Sequence, residues 1–306
     1  MAQYVDRNWP TAADWIAGAH SARPVGTVGL IGAPLCKAAI TPGRYDLAPS
    51  SLRSALAKFA TFDLRSGHDV RDLAIRDFGD LDVAGLLPEE AADTIAQAVE
   101  NARRGVDVLM ILGGDNSITR PGCLGIGAPL SECALLTLDA HFDLRDLTPG
   151  PTNGNPIRCL LAAGLPGVNI SQIGIQSFAN SHAYAQVARD AGIEVITIEE
   201  VRERGAVNAV SGALSRLASI APQIYVDVDI DVLDRGFAPA CPGSRPGGLL
   251  PFELLAAVRC CGSHPQVVAA DFVEVDPTKD VAQTTVYTAA SCVMSFAAGY
   301  RMRLSS

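Results

Sequence analysis

The amino-acid sequence predicts a single-domain α/β fold in three layers, α/β/α, around a mainly parallel sheet. Apolar runs of strand length alternate with helical patterns almost to the C-terminus. Most of those runs are apolar on successive rather than alternate residues, as expected of strands covered by helices on both faces. No Pro/Gly-rich linker, internal repeat or low-complexity tract divides the 306 residues, enough for one large domain. Residues 1–25 precede the first strand as an N-terminal extension. That strand is 27–32, and a helix follows over 50–60. Pro88, with Glu89 and Glu90 in the first turn, starts a helix over 88–104. Strands at 106–112, 133–138 and 169–175 come next, then a helix at 181–191, a strand at 193–198 and a helix at 206–219. The run closes with strand 223–229, helix 251–261, strand 267–273 and helix 283–299.

Composition narrows the function. The chain is 48% hydrophobic and 19% charged, and it lacks an apolar run near the roughly 20 residues of a membrane span. A formal charge of −9 argues against a nucleic-acid partner. The N-terminus has no basic region followed by an apolar core, so no secretory signal is expected. The eight cysteines show no CxxC spacing, which points to reduced thiols in the cytoplasm and away from a cysteine-based zinc site.

The chemistry lies where strands run out. Asp139, His141 and Asp143 follow the apolar run Cys133–Leu138 on alternate residues, so an extended chain would point all three to one side. Asp227, Asp229 and Asp231 alternate with apolar residues in the same way, and bare carboxylates at that spacing repel. Unpaired buried charge is costly, so a divalent cation is the economical explanation. So many ligand-type groups fit two ions better than one. A third strand ends in Gly113-Gly114-Asp115-Asn116-Ser117, by itself a common turn. The remaining histidines, His20, His68, His182 and His264, read as surface residues, with His182 near the cleft by its neighbours Asn180 and Ser181. Asp234 reads as ordering a turn, and Arg44 as a surface residue or one reaching the site from an N-terminal loop.

Together these segments resemble the ureohydrolase family of arginases, agmatinases and formiminoglutamases. The family shows Gly-Gly-Asp-His-Ser, Asp-Ala-His-x-Asp, and Ser-x-Asp-x-Asp followed by Ala-Pro and Gly-Gly. Here the last block is Asp227-Val228-Asp229-Ile230-Asp231, with Ala238-Pro239 and Gly247-Gly248 downstream. The resemblance covers roughly residues 25–300. It implies an arginase-like sheet of roughly eight strands, a homo-oligomer (trimer or hexamer), and two Mn²⁺ per chain, hard oxygen donors with one imidazole suiting that ion. Asp139 and Asp229 would bridge the ions. Asn116 with Asp143 would complete one, and His141 with Asp231 the other. Asp143 would also orient a hydroxide and carry its proton, and Glu274 would contact the amidine-like group of the substrate.

Three departures refine the reading. Asn116 stands at the family's first histidine, so the ion it serves is expected to be the weaker. Asp227 replaces a serine. Asn153, in the loop Thr152-Asn153-Gly154-Asn155-Pro156, replaces a histidine that arginases and agmatinases keep, and it cannot shuttle protons. His141 to Arg145, the loop without histidine, and Glu274 to Asp280 look most like formiminoglutamases. Arg145 and Arg158 flank the expected cleft, where they either pair bidentately with a substrate carboxylate or make ordinary salt bridges. Asn153 and Asn155 complete the expected substrate-binding set. The sequence therefore points to a dinuclear manganese hydrolase of a linear amidine C–N bond, converting N-formimino-L-glutamate to L-glutamate and formamide. The alternatives are an agmatinase-like guanidino hydrolase releasing urea and a catalytically weak metal-binding partner subunit.

Overall fold

The computed structural model describes Asp6 and residues 8–305. The strands are β1 Gly26–Ala33, β2 Phe62–Asp63, β3 His68–Asp69, β4 Leu73–Asp80, β5 Val108–Gly113, β6 Cys133–Leu138, β7 Ile170–Ile175, β8 Glu194–Thr197, β9 Gln223–Asp229 and β10 Val267–Val273. The helices are α1 Ala12–Ile16, α2 Ala48–Leu56, α3 Pro88–Arg103, α4 Thr119–Leu124, α5 Pro156–Ala163, α6 His182–Ala191, α7 Ile198–Arg204, α8 Ala206–Ala218, α9 Pro251–Ser263 and α10 Thr284–Arg303. Strands β2 and β3 form a small antiparallel pair. The other eight build one sheet in the order β4-β1-β5-β10-β9-β6-β7-β8, with every pairing parallel.

Alternate strand residues feed two separate cores, which is why the strands read as continuously apolar. Leu30, Met110, Leu136 and Val226 face α2, α8, α9 and α10, joined by Leu52, Leu214, Leu254 and Phe296. Ile31, Leu109, Leu135 and Tyr225 face the other way, against Ile95, Val99, Ile157 and Leu160 of α3 and α5. Three layers result. The N-terminal extension contributes Trp15, almost fully buried, whose indole N–H donates to the Leu73 carbonyl at 2.9 Å.

Three kinds of element were not read from the sequence, among them the two-residue strands β2 and β3, too short to form a run. Strand β4 lies at the sheet edge, and its residues from Arg76 to Asp80 are exposed, so it carries no apolar run. Arg53 of α2 covers this edge, pairing with Asp77 at 2.8 Å and with Asp80, charges that discourage further strand pairing. The short helices α1, α4, α5 and α7 give too few turns for a clear apolar period.

Candidate metal centre and cleft

The four central strands, β5, β10, β9 and β6, are neighbours, and the chain leaves their carboxyl ends together, where ligands bind in open α/β sheets. Beyond β5, Gly114 runs so close to Leu35 that a Cβ would strike the Leu35 carbonyl. Asp115 then caps a single turn, accepting from the Ser117 amide at 3.0 Å, and this turn presents Asn116. Beyond β9, the Asp231 amide donates to Asp229 Oδ1 at 2.8 Å. A Cβ at Gly243 would meet the Asp231 carboxylate, so that loop closes over the aspartate as glycine alone permits. Beyond β10, the Glu274 amide donates to the Gly114 carbonyl at 3.1 Å, tying two strand ends together.

Extended-strand periodicity does not bring Asp139, His141 and Asp143 together. Strand β6 ends at Leu138, and the chain then folds back through a loop with Asp143 in the left-handed region at φ +51°. Backbone amides set the loop: His141 N–H donates to Asp139 Oδ1 at 2.6 Å and Ala140 N–H to Asp231 Oδ1 at 2.9 Å. Asn180 clamps it, accepting from the Phe142 amide at 2.8 Å and donating to the Ala140 carbonyl at 2.9 Å. Asp231 likewise lies in a turn after β9 rather than on the strand. Asp227 does lie on β9, fully buried opposite Asp271 of β10, and neither of its oxygens has a hydrogen-bond donor among the described residues. Asp143 and Glu274, at φ +66°, are among the few non-glycine residues in the left-handed region, a strain that clusters at functional sites.

Two side-chain pairs form. Asn116 Nδ2 donates to Asp143 Oδ2 at 2.5 Å, and His141 Nδ1 lies 2.6 Å from Asp231 Oδ2 and 3.6 Å from Asp139 Oδ1. One ligand atom each from Asp139, His141 and Asp231 falls within 4.8 Å of the others, as one ion requires. The electrostatics are those of crowded acids. Burial first, then the Asp231 charge, lifts the Asp139 carboxyl to about 7. Burial and the neighbouring acids push Asp143 and Asp229 well above the usual carboxylate range. Asp231 alone is held low: burial opposes it, but His141 outweighs burial, and the same contact pushes His141 up to about 12. Asp139 Oδ2 is buried without a donor among the described residues. Acceptor-only groups crowded against an orphaned oxygen fit a divalent cation.

Above this floor opens a cleft of about 360 Å³, lined among others by His141, Asp143, Arg145, Asn153, Asp229, Asp231, Arg245 and Glu274. Glu274 Oε1 accepts from the Asn116 amide at 2.7 Å and from Asn153 Nδ2 at 3.0 Å; burial, then the Asp115 charge, lifts its carboxyl to about 8 against those bonds. Asn153 Oδ1 accepts from the Ile40 amide at 2.9 Å, so this amide braces Glu274 against an N-terminal loop. Asn155 and Arg158 are not on the cleft. Asn155 is fully buried and staples its own loop, donating to the carbonyls of Asp146 at 3.2 Å and Gly150 at 3.0 Å. Arg158 is carried off by α5, which starts at Pro156, and its Nη1 donates to the Leu144 carbonyl at 3.4 Å. Arg44 pairs with Asp46 at 2.8 Å. Sequence reasoning missed Arg245, on the rim, and Asn180 as the clamp of the loop; neither lies in a patterned stretch. It also missed Asp271, whose charged type inside an apolar strand was a usable signal.

A sequence profile of the Arginase family matches residues 26–299. The formimidoylglutamase of Halalkalibacterium halodurans is 35% identical over 304 residues, spanning 97% of this chain and 94% of that one. The crystal structure of the Bacillus subtilis formimidoylglutamase superposes with a TM-score of 0.91 at 32% identity, covering 98% of this chain and 95% of that one. A Trypanosoma cruzi formiminoglutamase solved with Mn²⁺ superposes at a TM-score of 0.85 and 23% identity, over 96% and 99% of the two chains, a likeness of fold.

Proposed function

The chain belongs to the arginase family and is a formimidoylglutamase-like hydrolase, and from that premise we propose that it converts N-formimino-L-glutamate to L-glutamate and formamide. One observation carries the substrate choice: an acidic floor of metal-type ligands lies beneath a rim bearing Arg145 and Arg245, neither of which forms an ion pair among the described residues. Guanidinium groups without an acidic partner at the mouth repel an ammonium tail and pair with carboxylates, and formiminoglutamate carries two; Arg245 is held there by its Nη1, which donates to the Gly243 carbonyl at 2.7 Å. A guanidino substrate ending in an amine fits that rim poorly.

Asn116, Asp139, His141, Asp143, Asp229 and Asp231 would hold two divalent cations. Oxygen donors with one imidazole favour manganese. Bound there, the ions would make water a nucleophile near neutral pH. Asp143 Oδ2 would take the proton released as water attacks the amidine carbon and deliver it to the leaving nitrogen, which departs as glutamate's amine. Glu274, braced by Asn116 and Asn153, would accept hydrogen bonds from the amidine N–H groups. An amidinium beside it favours its ionised form and so opposes the upward push of burial. The same reading keeps the chain in the cytoplasm, where its cysteines stay unpaired.

The test is a screen of formiminoglutamate, agmatine, arginine and guanidinobutyrate with the manganese-loaded chain, detecting formamide, urea and ammonia separately. Formamide from formiminoglutamate is the expected product. Robust agmatine hydrolysis without activity on formiminoglutamate would replace this reading with a guanidino hydrolase.

A further inference from the structure

Beneath Asn116 runs a buried chain of hydrogen bonds to which the catalytic scheme assigns nothing. Thr119 opens α4 and is fully buried. Its hydroxyl oxygen lies 2.6 Å from Asn116 Oδ1 and 2.9 Å from Asp271 Oδ2. Asp271, fully buried on β10, also accepts from the Tyr225 hydroxyl at 2.8 Å. At its other end, the Asn116 amide donates from Nδ2 to Asp143 Oδ2.

Counting protons exposes a conflict. The Thr119 hydroxyl has one proton and two acceptors in contact, the Asn116 oxygen and the Asp271 carboxylate. With Asp271 ionised, the form its two hydroxyl donors favour, one of these short contacts must lack a hydrogen. Turning the amide over removes the conflict, because Asn116 Nδ2 then donates to Thr119 Oγ1 and the hydroxyl donates to Asp271. The rotation places Asn116 Oδ1 against the Asp143 carboxylate, two acceptors in contact, which a cation between them makes favourable. The amide therefore has two orientations, and the buried chain favours the one with its oxygen toward Asp143.

We infer that Thr119 and Asp271 are positioning residues that turn the Asn116 amide oxygen onto the ion shared with Asp143, so that an amide can serve where an imidazole would otherwise bind. The inference rests on the reading of Asn116 as a ligand. Partners behind a metal ligand typically change affinity 10- to 100-fold.

The experiment measures metal content at controlled free Mn²⁺, with electron paramagnetic resonance to distinguish single ions from coupled pairs, and melting of the metal-free chains as a control. Thr119→Val is expected to loosen one ion about 10- to 100-fold while the other is unchanged, leaving single-ion spectra at intermediate Mn²⁺. Thr119→Ser, which keeps the hydroxyl, should bind as the wild type does. Tyr225→Phe leaves Thr119 as the remaining side-chain hydroxyl donating to Asp271 and should not loosen the ion. Wild-type affinity in Thr119→Val overturns the inference, as does equal loosening by all three variants, which would mean general damage. Asn116→Ala separates the two readings. Wild-type binding of both ions there refutes Asn116 as a ligand and this inference with it. Loss of one ion in Asn116→Ala beside normal binding in Thr119→Val refutes this inference alone.

Discussion

Stripped of metal, this chain is expected to melt at lower temperature as the pH is raised from about 5.5 to about 8.5, the reverse of an ordinary acidic protein recovering from acid. The cause is the cluster at the strand ends. Asp139 and Glu274 have folded values of about 7 and about 8, against ordinary values of 3.8 and 4.5. The folded state thus keeps protons that the unfolded chain has already released, so stability falls with rising pH until each folded value is passed. His141 acts with the same sign: its value is raised from 6.5 to about 12, so its contribution is complete below 6.5 and declines above it. Each tenfold gain in proton affinity on folding corresponds to about 1.4 kcal/mol. His141 and Asp139 lie in contact, so the charges partly compensate and water entry relieves more; we expect a net loss of roughly 2–3 kcal/mol across the interval. For a chain of this length that is about 3–5 °C in Tm. Differential scanning calorimetry of chelator-treated protein in buffers of matched ionic strength provides the assay. Asp139→Asn should flatten the slope, and Mn²⁺ should reverse it, because binding requires the ligands without their protons. A metal-free Tm that rises steadily to pH 8.5, parallel to the loaded protein, would refute the crowded-acid account.

Asp229→Ala should lose both ions and essentially all turnover, since removal of a bridge leaves the other carboxylates in mutual repulsion; full metal content by elemental analysis would show that Asp229 is not a ligand. Asp234 accepts from the Gly236 amide at 2.8 Å and the Gly247 amide at 2.6 Å, so Asp234→Ala should cost about 1–3 kcal/mol in urea unfolding while metal content stays unchanged. Asn116→His should tighten the weaker ion, read as longer retention on dialysis against a mild chelator. Arg145→Ala should raise KM for formiminoglutamate roughly 10- to 100-fold without altering metal content; an unchanged KM would remove Arg145 from the substrate.

Legibility in the sequence followed burial. Strands covered on both faces announced themselves as apolar runs, and β1 and β5 through β10 lie within a residue or two of where those runs place them. Strand β4 did not, because an edge strand faces solvent and needs no such run. The site was legible in its residues and illegible in its geometry. Alternation grouped Asp139, His141 and Asp143, yet His141 pairs with Asp231 and Asp143 with Asn116 across a loop turned by a left-handed Asp143, and no pattern of polarity encodes a positive φ at an aspartate. Nearness along the chain misled in the other direction. Asn155 and Arg158 follow Asn153 closely, but α5 begins between them and carries Arg158 off the cleft.

The strand order also bears on how the protein is made. Strands β9 and β10 come last in the chain yet lie between β5 and β6 at the centre of the sheet. A nascent chain that has emerged only as far as β8 holds Asn116, Asp139, His141 and Asp143 with no central partners to align them. Contacts between such distant segments form late and slowly. On the proposed two-ion reading, ion capture would then wait for a finished chain. A product truncated before β9 lacks Asp229, Asp231 and Glu274 together with the two strands that separate β5 from β6, so on the proposed reading it would compete weakly with complete copies for metal.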